Sequence, residues 1–548
     1  MLRVSFEHVF LPSTAKRIMV KEDGKTNPAQ RALILQGGGA LGAYEAGALK
    51  SWCKRLVEKD KKDNRDGPLF DIVAGASMGA VNASLLVHRA LHYFKQKQSH
   101  LESWEKSVAD LCEFYGTISN IKPNEPMWWV NNIMLDNPMF SSFWLGWESV
   151  RKQLEKNYDR FFDYSVNGKK NDEVEKSKSK EQFEEMMAKS PLRKLYFYML
   201  PDKWGIPATP ETARKYYSYW NSLQLGTPKV IAPSMVQPDM KFLDPLQDRH
   251  VFARFDNDPL VKTMKKYWDY ETNPGIKTNP GEPRLMVIAV DIEDCTTATT
   301  FDSFTEYTEY GSENQYRIDC PAGVTIEHVK ASMSTALRYK YSHFEAKVKK
   351  DKNEFDDDTK TRYFWDGAYI ANTPANEVIQ RHRKYWEKQE SIPDLELYII
   401  NLYPAVEPGI PAAPDTILDR QTDIGFHDRT RYGIRVAKMR SEYIDLISEL
   451  RKLAQDNNLD DKVRKILDKK TGNKTANGKD KTYNDLVEGR FKIKRVVYAQ
   501  RAEKSGTAIY GKAFDFSEDI IKSLIKEGEE AGRACYEESQ KYEKGNIV

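Results

Sequence analysis

Leu69-Phe70-Asp71-Ile72-Val73-Ala74-Gly75-Ala76-Ser77-Met78-Gly79 is the stretch on which the reading of this chain turns. A short apolar run leads into two glycines that flank a serine. Ala80 to Phe94, which follows, is small and apolar on one side, as a buried helix requires. A strand that turns this sharply into a helix pushes the serine hydroxyl into the open, and glycine on both sides permits the turn. About forty residues upstream stands a second cluster, Gly37-Gly38-Gly39-Ala40-Leu41-Gly42, preceded by the apolar run Ala32-Leu33-Ile34-Leu35. Leu41, Tyr44, Ala48, Trp52 and Leu56 then recur at helical spacing. With a polar loop expected at Lys59 to Asp66, the order is strand, loop, helix, strand, elbow, helix. That is the opening of a mainly parallel α/β sheet flanked by helices.

Further along, residues from about 120 to 280 break the alternation. They are rich in Trp and Pro (Trp128, Trp129, Trp144, Trp147, Trp204, Trp220) and hold a charged low-complexity run from Gly168 to Glu185. They read as an insertion of helices and long loops. Its aromatics either pack a helical subdomain or form an apolar lid or acyl-chain channel. Strands are expected again at Leu285 to Val290 and Leu395 to Ile400, and helices at Val324 to Leu337, Ile434 to Leu453 and Phe516 to Tyr542. Gln455 to Asn484 reads as a mobile, partly helical connection, and the Lys-rich run Lys347 to Lys352 as a solvated loop. The expected organisation is an irregular lead-in over 1–30, a core over 31–377 interrupted at about 120–280, and last core strands with a helical C-terminal extension over 378–548.

The 548 residues balance Lys+Arg 84 against Asp+Glu 81, a formal charge of +3, so no global field favours nucleic acid. The five cysteines are far apart and lack metal spacing, which argues against a disulfide framework and a zinc site. Met1 to Val20 lacks the basic-then-apolar order of a signal peptide, and no apolar stretch approaches the roughly 18–20 residues of a membrane span. A cytoplasmic protein is expected. Any contact with a membrane is peripheral, made from the surface. The sequence leaves the oligomeric state open.

A serine hydroxyl needs a base within hydrogen-bond reach to attack at neutral pH. Asp366 is the candidate: it follows the apolar run Tyr363-Phe364-Trp365 and precedes Gly367-Ala368, which suits a strand end with a tight turn. A carboxylate is a weak base beside imidazole, and burial narrows that gap by raising its pKa. Backbone N–H groups near Gly38 and Gly39 are placed to hold an oxyanion. The expected chemistry is an acyl-enzyme on Ser77, hydrolysed by water with Asp366 acting twice.

The set GGGALG, GASMG and DGA, in that order, resembles the patatin-like phospholipase family. The resemblance covers roughly Ala32 to Glu377. It implies a Ser77–Asp366 dyad without catalytic histidine or required metal or other cofactor. It also implies Gly37, Gly39 and Gly42 as the glycine positions of the oxyanion motif, Gly75 and Gly79 as the elbow glycines, and a lipid or other acyl-ester substrate. Acyl transfer to an alcohol on the same dyad, and a non-catalytic lipid-binding protein that keeps the fold, are the alternatives.

Two competing readings are weaker on the residues. GGGALG matches a dinucleotide fingerprint, but the acidic residue this needs about twenty positions on falls in Glu58 to Asp63, read as a solvated loop. A Ser–Asp–His triad is open through His382 and His427, yet His382 sits in a charged helix segment and reads as a surface residue. His88 and His92 read as packing residues.

Overall fold

The computed structural model describes residues 29–96, 98–119, 226–227, 229–233, 255–269, 274–351, 354–386, 392–406, 410–411, 414–474, 480–487, 491–502 and 511–543. The lead-in 1–28 lies outside them. So does most of the insertion expected at about 120–280, with its low-complexity run and the six tryptophans named above.

Successive side chains of a strand point to opposite faces. In the first strands both sets are apolar, so both faces must be covered. Ten strands form one sheet: β1 (Gln30–Leu35), β2 (Ile72–Ala76), β3 (Arg284–Asp291), β4 (Thr299–Asp302), β5 (Tyr307–Tyr310), β6 (Tyr316–Asp319), β7 (Ser342–Asp351), β8 (Glu354–Asp366), β9 (Leu395–Asn401) and β10 (Ile493–Gln500). Their order is β10-β9-β1-β2-β3-β8-β7-β6-β5, with β4 pairing β3. β10, β9, β1, β2 and β3 run parallel. Beyond β3 every pairing is antiparallel.

The helices used below are α1 (Gly42–Asp63), α2 (Met78–Lys95), α3 (His100–Ile118), α4 (Asp258–Tyr267), α5 (Ile326–Ser332), α6 (Ala375–Trp386), α7 (Pro414–Phe426), α8 (Arg431–Asp456) and α9 (Glu518–Glu543). Leu33, Leu35, Val73 and Val287 face a core built with α1, α2, α3 and α9. Ala32, Ile34, Ile72 and Ala74 face a smaller one closed by α6 and α8. The result is a three-layer α/β fold with a helical C-terminal part. α9 is bound closely to α1: a Cβ on Gly47 would stand 1.9 Å from the Ile525 carbonyl oxygen, and one on Gly528 2.0 Å from that of Tyr44. The bare backbones let the helices touch, and Trp52 Nε1 donates to Gly532 O at 3.0 Å.

Several expectations change. Helix α1 runs on to Asp63, so Lys59 to Asp63 is not a loop. Asp60 there is buried and forms a bidentate pair with Arg31 (2.6 and 2.7 Å), because a guanidinium inside the fold must be matched. Lys347–Asp351 belongs to β7, whose hairpin partner β8 supplies the hydrogen bonds a loop would have found in water. The helix expected at Val324 to Leu337 stops at Ser332, and Leu337 adopts φ 64°. The connection after α8 holds a short helix, Asp460–Leu467, and a hairpin of Lys470–Lys474 with Asp480–Thr482. Strand β10 was not expected: its IKRVVYAQ alternation buries only every second residue, which reads weakly beside the doubly buried strands.

Candidate active site

Sheet register brings the separated motifs together. Ala76, the last residue of β2, pairs with Ile288 of β3, and Asp366, the last of β8, pairs with Ala289 on the other side of β3. Because β2 and β8 run in opposite directions, both end at the same level of the strand between them. Ser77 follows at once, at φ 53° and ψ −126°, a conformation that non-glycine residues rarely hold. The elbow survives because its neighbours are bare. A Cβ on Gly75 would meet the Gly79 carbonyl oxygen at 2.2 Å, and one on Gly79 would meet that of Leu35 at 2.6 Å. Gly367 likewise lies against the Ile288 carbonyl, which a Cβ would approach to 2.2 Å.

Asp366 is 4% exposed. Burial pushes its carboxyl up to about 6, while hydrogen bonds from the Ser77 side chain, the Ala368 amide and the Thr335 hydroxyl pull the other way. The Ala368 bond is 2.9 Å to Oδ1 and the Thr335 bond 3.1 Å to Oδ2. Burial dominates, so this is a carboxyl whose proton affinity lies close to neutrality.

The glycine loop after β1 closes the third side. Gly37, Gly38 and Gly39 line one cavity of about 380 Å³ with Ser77, Asp366 and Ala368. The Gly37 amide is occupied, donating to Asn372 Oδ1 at 2.9 Å. The amides of Gly38 and Gly39 donate no hydrogen bond among the described residues. Gly39 requires φ 57°, and a Cβ there would come within 2.2 Å of the Ala513 carbonyl oxygen. Gly42 is not among the lining residues. It opens α1, its N–H turned back to Ala40 O and Gly39 O, and it is small because Tyr115 Oη would be 2.3 Å from a Cβ.

Sequence reasoning passed over the residues that fix these groups. Ser332 accepts from the Ser77 amide at 2.9 Å and donates to Ile288 O, tying the elbow to β3. Glu45, wholly buried and with a carboxyl raised well above the usual range by that burial, accepts from the Gln36 amide at 2.8 Å and from Asn82 Nδ2 at 2.7 Å. Gln36 immediately precedes the loop. The signal available was weak: Glu45 is an acid in an otherwise apolar helix stripe. Thr335 and Asn372 carry no local pattern at all.

Among the described residues no histidine lines the cavity. His382 is not the surface residue expected. It is 0% exposed, with Nε2 2.8 Å from Pro393 O and its ring against Phe491. α6 turns that side to the sheet. His427 is half-buried by contrast, with Nδ1 2.8 Å from Ile424 O. His88 packs on Trp268, and His92 contacts Asp269. Among the described residues no cluster of three His, Cys, Asp or Glu side chains has metal-binding geometry, and no helix is long and apolar enough to cross a membrane.

The cavity is mostly apolar, walled by Met333, Leu260, Ile231, Tyr403 and Phe426 among others. It can hold an acyl chain beside a hydroxyl, a near-neutral carboxyl and two unpaired amides. Comparison with known proteins bears on what such a site is for. Of solved structures, the crystal structure of VipD from Legionella pneumophila is similar at 11% identity, over 94% of this chain and 68% of that one, with a TM-score of 0.28. No curated protein matches. The family model described as patatin-like phospholipase matches residues 33–379, more than half of the chain. The chain belongs to the patatin-like phospholipase family, a family of lipid acyl hydrolases.

Proposed function

We propose that the protein hydrolyses carboxylic esters of lipids through a Ser77–Asp366 dyad. The observation that carries this reading is the convergence of Ser77 and the buried Asp366 carboxyl on one cavity, where the Ser77 side chain favours the charged form of a carboxyl that burial pushes up to about 6. Asp366 takes the Ser77 proton as the oxygen attacks the ester carbonyl. The tetrahedral oxyanion is held by the Gly38 and Gly39 amides, each donor contributing ~10²–10³ in rate. Collapse of that intermediate breaks the bond to the leaving alcohol, which collects the proton from Asp366. Water then attacks the acyl-enzyme, giving its proton to the same carboxylate. Ser77 is released with that proton and the fatty acid departs. A dry wall around Asp366 is what lets a carboxylate stand in for imidazole.

Labelling with a fluorophosphonate probe and peptide mapping tests the reading without assuming a substrate. Modification is expected on Ser77, together with turnover of p-nitrophenyl acyl esters that Ser77→Ala abolishes. Turnover that survives in Ser77→Ala would sink it.

A further inference from the structure

We infer that Arg338 is a specificity-determining residue that binds the anionic phosphate group of a glycerolipid substrate while its acyl ester lies at Ser77. The inference rests on the dyad reading above and adds to it which head group the cavity reads. Arg338 lines the same cavity as Ser77 and Asp366. Its guanidinium lies over the Phe514 ring, 4.0 Å from the centroid, and Nη1 is shielded from solvent yet has no hydrogen-bond partner among the described residues. No described carboxylate pairs with it.

Other cations of this fold are treated differently. Lys512, on the same cavity, contacts Asp419 at 3.0 Å and Asp423 at 2.7 Å. The buried guanidiniums of Arg31 and Arg362 meet Asp60 and Asp291 in two-point pairs. A shielded cation without a counter-charge is costly, so an unmatched one in a substrate cavity marks a place for an anion. Asp366 does not fill that role, since its partners are Ser77, Ala368 and Thr335.

The chemistry of the fork selects the anion. A guanidinium offers parallel N–H donors that match two oxygens of one phosphate, and the Phe514 face fixes its plane before the ligand arrives. The turn that carries it also carries the base's support. Thr335 donates to Asp366, and three residues later the Arg338 amide donates to Thr335 O at 3.1 Å, with Leu337 at φ 64° between them. One strained turn therefore sets the spacing between the reacting carbonyl and the phosphate. A neutral acylglycerol leaves the guanidinium unmatched, and a site built to bind a polar group discriminates against an analogue that lacks it.

The test compares kcat/KM of the full chain on a 1-acylglycerol 3-phosphate and on the 1-acylglycerol of the same chain, both in neutral detergent micelles. Arg338→Gln is expected to lower the ratio of phosphorylated to neutral substrate about 10- to 100-fold, the worth of one charge-assisted hydrogen-bonded contact. Arg338→Lys, which keeps the charge without the fork, is expected to recover part of it. It also carries the test should Arg338→Gln fail to fold. An unchanged ratio in active protein overturns the inference and leaves the dyad standing. Inhibition by inorganic phosphate that Arg338→Gln relieves, with the ratio unmoved, would mean that free phosphate is the ligand and would overturn the head-group assignment. Failure of the wild type to hydrolyse either ester or to react with a fluorophosphonate removes the dyad reading itself.

Discussion

The two halves of the sheet contribute to the cavity in different ways. The parallel half, β10 to β3, delivers Ser77 and the glycine loop from the turns that follow β2 and β1, within a few residues of buried strands. The antiparallel half delivers Asp366 at the end of a 13-residue strand whose outer part is polar and exposed. One half makes geometry locally, through glycines and a strained elbow. The other makes it at long range, through the pairing of Asp366 with Ala289. The proposed dyad spans that seam and so depends on β3, which both halves share.

The largest effect should come from cutting either half's contribution. Ser77→Ala and Asp366→Asn are each expected to reduce single-turnover ester hydrolysis on the order of 10⁴-fold or more, and the double variant to lose little beyond either, since groups acting as a unit are not additive. Additive losses would mean that the halves work independently. The pH dependence follows from the same carboxyl. As the proposed base Asp366 must be ionised to accept a proton, so kcat/KM should rise about tenfold per pH unit up to about 6 and then level.

Stability should move against activity. The folded carboxyl, at about 6, holds its proton more tightly than an unfolded one at about 3.9. The stabilisation this gives is present below the unfolded value and is lost as pH rises from about 4 through 6. Asp366→Asn removes the buried charge. It is expected to be more stable than wild type at pH 8 by on the order of 2–3 kcal/mol, with the difference closing at pH 4. Urea melts at the two pH values would measure it. A destabilised Asp366→Asn at pH 8 would show that the hydrogen bonds outweigh desolvation.

The same division explains what could be read from the sequence. Gly75, Ser77 and Gly79, like Gly37 to Gly39, act within a few residues, so their spacing is a local code. Asp366 was legible because an apolar run ends at Asp-Gly. Its register against Ala289 was not, because pairing depends on strands far apart in the chain. Thr335, Ser332 and Asn372 escape for a related reason: each is a polar residue on a turn or helix end, and only the folded position of its partner distinguishes it. Lys347 to Asp351 and His382 misled because charge in sequence signals solvent. A long hairpin can carry lysines on a strand, however, and a charged helix still turns one side to the core. Gly42 shows the converse, a motif glycine placed by the packing of Tyr115 and not by the cavity.

Smaller effects refine the seam. Thr335→Val removes a hydrogen bond that favours the charged form of Asp366, so the carboxyl should rise further and the pH profile move upward by roughly one unit. Activity at pH 7 would fall about twofold and recover at higher pH. A uniform loss without a shifted profile would assign Thr335 to the shape of the turn instead.

The smallest effect is expected at the histidines. His427 is half-buried and its ring is hydrogen-bonded to the carbonyl of Ile424 in its own segment, so His427→Ala should leave turnover within about twofold of wild type. His382 is different in kind: it is buried among Pro393 and Phe491 on the far side of the sheet from α1. Its replacement by alanine leaves a cavity and an unpaired carbonyl, so the melting temperature should drop while turnover per folded molecule is kept. A loss of turnover in folded His382→Ala or His427→Ala comparable to that of Ser77→Ala would place a third catalytic group outside both halves. The seam between β2, β3 and β8 would then no longer be sufficient for the chemistry.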